Sequence, residues 1–483
     1  MSLRHVKPLA LIVVLGSMLM FAASGRAAVA RESGSAAGTV SLDQSAYTAH
    51  ESQGNLAITI VRTGDLLNEE HVGYGVKQQD AMDRIDFVAI PNTYITMAPG
   101  QSTYTFNVPI IDEGINATPV HALAYLYGSW PDSIGTTNSP VTILHDDPVG
   151  ARDAANPLGV PAPANGNTIA GAKLFVDPQS PAAQSEAHTS GAGHTLLGEI
   201  AGEPGAHRFY MWNMGPNVAG QVAHWLQMAQ LEQPGTTAML SSYNLVHGPC
   251  GYTATPAMQA AYDTYMHQLA AGIGNFHVIY FLEFDSLITS PCLTSQQLAI
   301  REAELRDAVS ILEADPHVVV YLDGGAADAL PARRQAALLS ASGVAQAQGF
   351  FLNSTHFDWT SKEIHYGQQI SKMLGGARFI VNTGENGRGP LVPRNRVRHG
   401  NEVLCNPPGR ALGPLSLSQD VAQQTGYAGL DGLLWFSNPG GSGGQCVKGA
   451  PPAGTFWPAY AEMLARNWVN SVTGPHFRLR RVP

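Results

Sequence analysis

The sequence predicts two folds in series, an all-β sandwich followed by a seven-stranded α/β barrel. Three observations carry that expectation. Between Val40 and about Asp147, short runs of alternating apolar residues are separated by Gly, Asn, Asp and Pro clusters. From Lys173 onward, strand-like apolar runs alternate with helical stretches. Between them, residues 148–170 are rich in Pro, Ala, Gly and Asn, with Pro148, Pro157, Pro161 and Pro163, and read as a linker. The fold class is therefore multidomain: a leader over 1–30, a sandwich over 38–147, the linker, and a barrel over 171–483.

Composition narrows the function. Of 483 residues, 44% are hydrophobic and only 13% charged, about half the usual share, so a large core is available. The 51 glycines and 32 prolines imply many turns and long loops. There are 27 basic and 37 acidic residues, a net charge of −10. A phosphate backbone needs a basic face, so a dedicated nucleic-acid binder is excluded. No Walker-type loop, HExxH zinc helix or paired CxxC is present.

The leader has a charged start at Arg4 and Lys7, an apolar stretch from Leu9 to Ala23, and an A-x-A site at Ala28-Val29-Ala30. About 15 apolar residues broken by Gly16 and Ser17 are short of the ~20 that span a bilayer. Export with cleavage is the expectation: a secreted, periplasmic or cell-surface protein with no later membrane span. The four cysteines, Cys250, Cys292, Cys405 and Cys446, fit an oxidising compartment and allow three pairings. Sequence proximity favours Cys250–Cys292 and Cys405–Cys446. A monomer is expected.

In the sandwich, Leu56–Val61 and Tyr104–Val108 contain the alternation of half-buried strands, and about seven strands fit the length. In the barrel, strands are expected at His207–Trp212, Ala238–Leu245, Phe276–Glu283, His317–Asp323, Gly349–Asn353, Ala377–Thr383 and Gly432–Phe436. Ser295–Asp315 is the clearest helix between them. Such alternation implies parallel strands with right-handed crossovers. Seven units point to a closed or nearly closed barrel. An open doubly wound sheet is the alternative, but no glycine fingerprint opens a helix after the first strand.

Barrel chemistry sits at the C-terminal strand ends. Those ends carry Trp212, Tyr243, Glu283 with Asp285, Asp323, Asn353, Asn382 with Glu385, and Trp435. Carboxylates and amides grip hydroxyls, and flat aromatic faces stack on sugar rings, so a carbohydrate fits this rim.

Several segments then resemble one family in order. They are Lys173–Pro178, Tyr243-Asn244-Leu245 followed by Cys250, Phe281–Leu287, Tyr321-Leu322-Asp323-Gly324-Gly325, Tyr366–Ser371, Asn386–Pro390 and Cys405–Gly413. The run is similar to glycoside hydrolase family 6, the cellobiohydrolases and endoglucanases, over residues 156–470. The resemblance implies a distorted seven-stranded barrel, two local disulfides, no cofactor for catalysis and inverting hydrolysis of β-1,4-glucans. It implies Asp285 as general acid, Tyr243 beside the reacting ring, and Asp323 as a cleft aspartate. Trp212 matches a sugar-stacking tryptophan, and Thr253 matches a serine that holds the attacking water. Asn353, Trp359 and Glu385 join them by position as substrate-binding residues, Glu385 also as a substitute base. Other family positions are replaced. An aspartate falls on Pro249, a histidine and a tryptophan on Ala326 and Ala329, and a tryptophan on Leu404. A lysine, a glutamate and the base aspartate fall on Ser437, Gly441 and Gly443. A catalytically degenerate glycan-binding protein is the rival expectation.

The β region resembles a Calx-beta domain through Val40–Leu42, Tyr47, Glu51, Ile60–Gly64, Asp86-Phe87, Pro109–Asp112 and Ile143–Asp147. That resemblance implies Ca²⁺ ligands at Glu51, Asp86, Asp112, Asp146 and Asp147, because a hard cation takes several oxygens.

Overall fold

Nine strands build the N-terminal region: β1 (Thr39–Leu42), β2 (Tyr47–His50), β3 (Asn55–Thr63), β4 (Glu70–Gln78), β5 (Ile90–Met97), β6 (Thr103–Pro109), β7 (Val120–Trp130), β8 (Ser133–Ile134) and β9 (Asn138–Leu144). This is a computed structural model, and it describes residues 38–468 apart from 65, 84, 113–118, 147–165, 212–213, 215–216, 246–253, 392–403 and 418–425. The expected leader and most of the expected linker lie outside the described residues. The strands form a four-stranded sheet, β6-β3-β1-β8, and a five-stranded sheet, β2-β9-β7-β4-β5. Along β3, Leu56, Ile58 and Ile60 turn inward while Asn55, Ala57 and Thr63 face water. They pack with Val40, Val72, Phe87, Val108 and Val141 in one apolar core. A buried cation sits among these strands: Arg62 Nε lies 2.5 Å from Asp132 Oδ2, with Glu70 Oε2 at 3.9 Å from Nη2.

The second region is a parallel sheet of seven strands in sequential order: β10 (Ala206–Arg208), β11 (Ala238–Ser241), β12 (Val278–Leu282), β13 (Val318–Asp323), β14 (Gly349–Leu352), β15 (Arg378–Asn382) and β16 (Leu430–Leu434). The sheet curls. Among the described residues, its first and last edges meet through the bridge between Gly205 and Trp435 and the bond from Asn438 Nδ2 to Ala206 O, 3.0 Å. The barrel is thus a half-barrel sheet with a single bridge at its seam. Leu174, in the family-like segment Lys173–Pro178, makes an isolated bridge to Thr237. The expected linker also ends early. Ile169 is fully buried with the barrel interior, and Asn167 donates to Asp431 O at 3.0 Å.

Helices α1 (Pro181–Ala187) and α2 (Ala192–Ala201) precede β10. Helices α3 (Val218–Glu232), α4 (Pro256–Ile273), α5 (Ser295–Leu312), α6 (Ala332–Ala341) and α7 (Thr360–Met373) lie between successive strands from β10 to β15. A last helix, α8 (Pro458–Arg466), follows β16. Local chemistry sets their starts. Thr255 accepts from Met258 N with Pro256 in the first turn, and Thr294 and Gln297 form a reciprocal capping box. Alternate strand residues serve two cores. Met239, Ile279, Phe281, Phe351 and Ile380 fill the barrel interior, while Leu240, Tyr280, Leu282, Phe350 and Val381 pack outward under the helices. Gly349 allows β14 to approach β15, since a Cβ there would lie 1.9 Å from Arg378 O.

The two regions share packing. Met82 and Ile85, from the loop between β4 and β5, are buried in the same cluster as Val222, Trp225 and Leu226 of α3. Gln221 Nε2 donates to the carbonyls of Gln79 and Asp80, at 3.2 and 2.7 Å.

Candidate active site

Strand β12 is apolar on both faces, VIYFL, and wholly buried. Where it ends, the chain turns through two non-glycine residues of positive φ, Glu283 at 53° and Asp285 at 61°. Such a backbone is costly for residues with a Cβ and persists only where the surroundings fix it. Here the fixing group is Glu283. Its buried carboxylate accepts from Asn244 N (2.6 Å), Leu245 N (2.9 Å) and the Tyr262 hydroxyl (3.2 Å). Ser242 closes the same corner, accepting from Glu283 N through its hydroxyl and from Phe284 N through its carbonyl. Burial raises the Glu283 carboxyl above its usual range. The two loops that carry Tyr243 and Asp285 are therefore stitched into one unit.

Asp285 is the partly exposed member of a buried turn. Its Oδ1 accepts from the Thr355 hydroxyl at 2.6 Å, across from the end of β14. Behind it lies Asp323, at the end of β13 and 1% exposed. Asp323 accepts from Leu287 N (3.0 Å), Ile288 N (3.4 Å) and Gly325 N (2.9 Å), so it holds the turn that follows Asp285. Burial first, and then the charge of Asp285, push the Asp323 carboxyl up to about 7. Burial and the neighbouring charge thus favour the protonated form of Asp323. Tyr243 is raised above the ordinary phenol range, by burial first and then by Asp285. Arg208 supplies the nearby positive charge. Its guanidinium lies 4.3 Å over the Phe284 ring, and its Nε donates to Ser241 Oγ at 3.1 Å. Phe284 itself packs into the barrel interior against Phe351 and Phe436, at 5.1 and 5.8 Å between ring centroids.

Not every expected residue reaches this mouth. Asn353, expected to bind substrate, is fully buried with φ 66°, and its amide is spent on Asp358 N, Asp358 O and Asn382 O. It braces the loop that carries Thr355. Glu385 accepts from Gly440 N at 2.9 Å, and burial pushes it up to about 7, which ties it to the loop after β16. Trp359 caps α7 and packs on Gly389, whose added Cβ would lie 2.1 Å from the indole. Trp435, just after β16, is core, with its Nε1 donating to Pro414 O at 2.7 Å. Trp212, Thr253 and Pro249 lie outside the described residues. The run Gly440–Gly444 has the spacing of a nucleophile elbow, but Ser442 is buried and its hydroxyl is bonded to Pro451 O at 2.9 Å. Sequence reasoning missed Thr355 and Arg208. Thr355 stood in the third place of an Asn-Ser-Thr sequon whose Asn353 and Ser354 are in fact buried.

The cysteines fall as expected where they are described. Cys405 and Cys446 are bridged, Cys292 is disulfide-bonded, and Cys250 lies outside the described residues. Among the described residues, the expected calcium ligands form no group that could hold a metal ion. Glu51 Oε2 lies 2.9 Å from His145 Nδ1, and Asp86 Oδ1 lies 3.0 Å from His224 Nε2 on α3. Asp146 is bonded to the Ser52 hydroxyl at 2.5 Å, Asp112 is exposed, and Asp147 lies outside the described residues. Among the described residues, no three His, Cys, Asp or Glu side chains are grouped to hold a metal ion. No helix among them is long and apolar enough to cross a membrane.

Two predictions arise directly. Thr355→Val removes the hydroxyl bonded to Asp285 but keeps the shape. For a substrate turned over at this site, about tenfold lower kcat is expected, equivalent to one charge-assisted hydrogen bond of ~1.5 kcal/mol, with KM little changed. An unchanged kcat would remove Thr355 from the site. The second concerns pH. Burial raises Asp323, Glu304, Glu313 and Glu385 to about 7 and Asp431 to about 6. Between their unfolded values near 4 and these folded values, the native state holds protons that the unfolded chain has released. Stability therefore falls as pH rises through that window. The thermal midpoint is expected to be several degrees higher at pH 5 than at pH 8, and equal or reversed midpoints in calorimetry would contradict this.

Fold and site together define a class: a parallel α/β half-barrel with a carboxylic acid held at the C-terminal strand ends over a buried carboxylate. The family model for glycosyl hydrolases family 6 matches residues 169–468, and the chain belongs to that family. It is 33% identical over 296 residues to "Endoglucanase A" of Cellulomonas fimi, covering 61% of this chain and 61% of that relative. It is 29% identical over 300 residues to "Endoglucanase 1" of Streptomyces halstedii, covering 60% and 87%. Among solved structures, the endoglucanase Cel6 from Mycobacterium tuberculosis, in complex with methyl-cellobiosyl-4-deoxy-4-thio-β-D-cellobioside, superposes with a TM-score of 0.55 at 32% identity, over 62% of this chain and 99% of that one. The chain thus spans about three fifths of the length of the Cellulomonas relative.

Proposed function

We propose that the protein is an exported hydrolase of β-1,4-glucans that acts with inversion, with Asp285 as the acid that protonates the leaving oxygen. The observation that carries this reading is the Asp285 turn: a partly exposed carboxyl held by Thr355 and backed by the buried, proton-retaining Asp323. In this reading Asp323 is a positioning residue, because its oxygens are used on the backbone of the turn. Tyr243 flanks the reacting sugar, and Trp212 and Thr253 serve on the substrate side. Support comes from relatives named endoglucanases and from a related structure bound to a cello-oligosaccharide analogue. Domain limits are proposed as a leader over 1–30, a Calx-beta-like sandwich over 38–147 and a barrel that begins within the expected linker, by Ile169. Calcium is left out of the proposal, since Glu51 and Asp86 face histidines. The test is a panel of soluble β-glucans with reducing-end detection and NMR of the product anomer. Inverted product supports the reading, and retained product overturns it.

A second reading, a glycan-binding protein on the same scaffold, has its own observation. The loop after β16 carries Ser437, Gly441 and Gly443 where the family resemblance expects a lysine, a glutamate and an aspartate. Gly443 lies against Cys405, where a Cβ would already be 3.3 Å from its Cα. Binding without hydrolysis across the panel would select this reading.

A further inference from the structure

The outer face of the five-stranded sheet holds a feature that the barrel chemistry does not use. Strand β4 turns Glu70, Val72, Tyr74 and Val76 inward, and His71, Gly73, Gly75 and Lys77 outward. Glycine inside a central strand weakens it and marks a place where another group approaches closely. Here that group is a pair of rings from β7. A Cβ on Gly73 would lie 2.7 Å from the Tyr127 ring, and one on Gly75 would lie 2.6 Å from the Tyr125 hydroxyl. With no side chain beneath them, the two rings lie over the sheet. Tyr94 of β5 meets Tyr127 edge-on, with centroids 5.1 Å apart, and Tyr125 lies 6.1 Å from Tyr127. At the end of the same strands Trp130 stacks on His71, 6.1 Å away and 18° from parallel. Tyr94 is 72% and Trp130 68% exposed, unusual for rings of this size.

We propose that this aromatic face is a second glycan-binding surface, on which a neutral β-linked glucan chain lies across the rings of Tyr94, Tyr127 and Trp130. The proposal rests on the reading of the barrel as a β-glucan hydrolase. Charge selects the occupant. Between Trp130 and Tyr125 the charged groups are Lys77, 5.3 Å over the Tyr125 ring, and the Glu69–His71 contact at 3.3 Å. Among the described residues this face presents no row of cations for a polyanion, and the chain's net charge of −10 repels one. A neutral polymer with apolar ring faces and hydroxyl edges matches flat aromatics bordered by Asn92 and Thr96. Asn92 already accepts from the Tyr125 hydroxyl at 2.6 Å, and Thr96 contacts His71 at 2.9 Å.

The test is affinity electrophoresis of the full chain in gels containing hydroxyethyl cellulose, with hydrolysis of cellotetraose measured in parallel. The double variant Tyr94→Ala, Trp130→Ala is expected to lose retardation at least about tenfold while keeping its cellotetraose rate. Tyr94→Phe keeps the ring and should keep retardation. Undiminished retardation of the double variant overturns the proposal. So does Tyr94→Phe losing as much as the alanine change. A dimer in sedimentation that disappears with Tyr94→Ala, with retardation unchanged, assigns the face to a second copy and overturns it as well. The two readings fail separately. Retardation that depends on Tyr94 and Trp130 without cellotetraose hydrolysis sinks the barrel reading alone, and hydrolysis with retardation indifferent to both residues sinks the face alone.

Discussion

If Asp285 is the acid proposed above, Asp285→Asn is expected to lower turnover on cello-oligosaccharides by about 10²–10⁴-fold and to leave their binding nearly unchanged. General acid catalysis contributes a factor of that size, equivalent to ~3–5 kcal/mol of the barrier. The substitution keeps the shape and the acceptor for the Thr355 hydroxyl, so the turn stays in place. In the proposed reading it removes the proton that the leaving oxygen needs. Substrates with good leaving groups, such as aryl cellobiosides, need that proton less and should lose far less rate. This contrast separates acid catalysis from damage to the fold, which slows both kinds of substrate alike. Losing the charge of Asp285 also removes one of the causes that raise Asp323 and Tyr243. Wild-type turnover on cellotetraose would refute the assignment. Equal loss on both substrate types would move Asp285 to a structural role.

Asp285 was legible in the sequence because two signals coincided there: a wholly apolar strand of central type, and a family-like motif at its end. Thr355 was not, although it touches Asp285 at 2.6 Å. It belongs to a strand end 70 residues further along, and only the sequential parallel order of β12, β13 and β14 brings the two together. Asn353 shows the reverse limit. An amide at a strand end reads the same whether it faces a ligand or braces its own loop, and here it braces. The order of strands and helices followed from periodicity, with six of the seven barrel strands ending one to four residues before the expected end. Two of the nine sandwich strands went uncounted, in keeping with strands as short as β8, too short for period-two alternation to show. The aromatic face was hidden for a related reason. Alternation tells which residues face outward, but not that glycines on one strand lie beneath tyrosines on the next.

The contact between the two regions was also invisible, and it changes what a truncation should do. Sequence reading expects a simple linker over residues 148–170. In the structure, Ile85 is 3% and Met82 7% exposed, and both belong to the cluster that contains Val222, Trp225 and Leu226 of α3. They sit in a loop, where no periodicity marks a buried residue. Ile85→Ala should therefore cost about 2–5 kcal/mol, the range for a buried isoleucine truncated to alanine. A mutation confined to a sandwich loop would otherwise leave the barrel untouched. Beside it, Gln221 binds the Gln79 and Asp80 carbonyls, and Asp86 lies 3.0 Å from His224. The wild type is expected to unfold in one calorimetric transition, because the shared cluster couples the regions. Ile85→Ala should split that transition, with the sandwich melting first, and a chain starting at residue 166 should melt below the intact barrel. Separate transitions in the wild type, with a midpoint for the truncated chain equal to the barrel's own, would show that the shared packing contributes nothing and restore the simple linker.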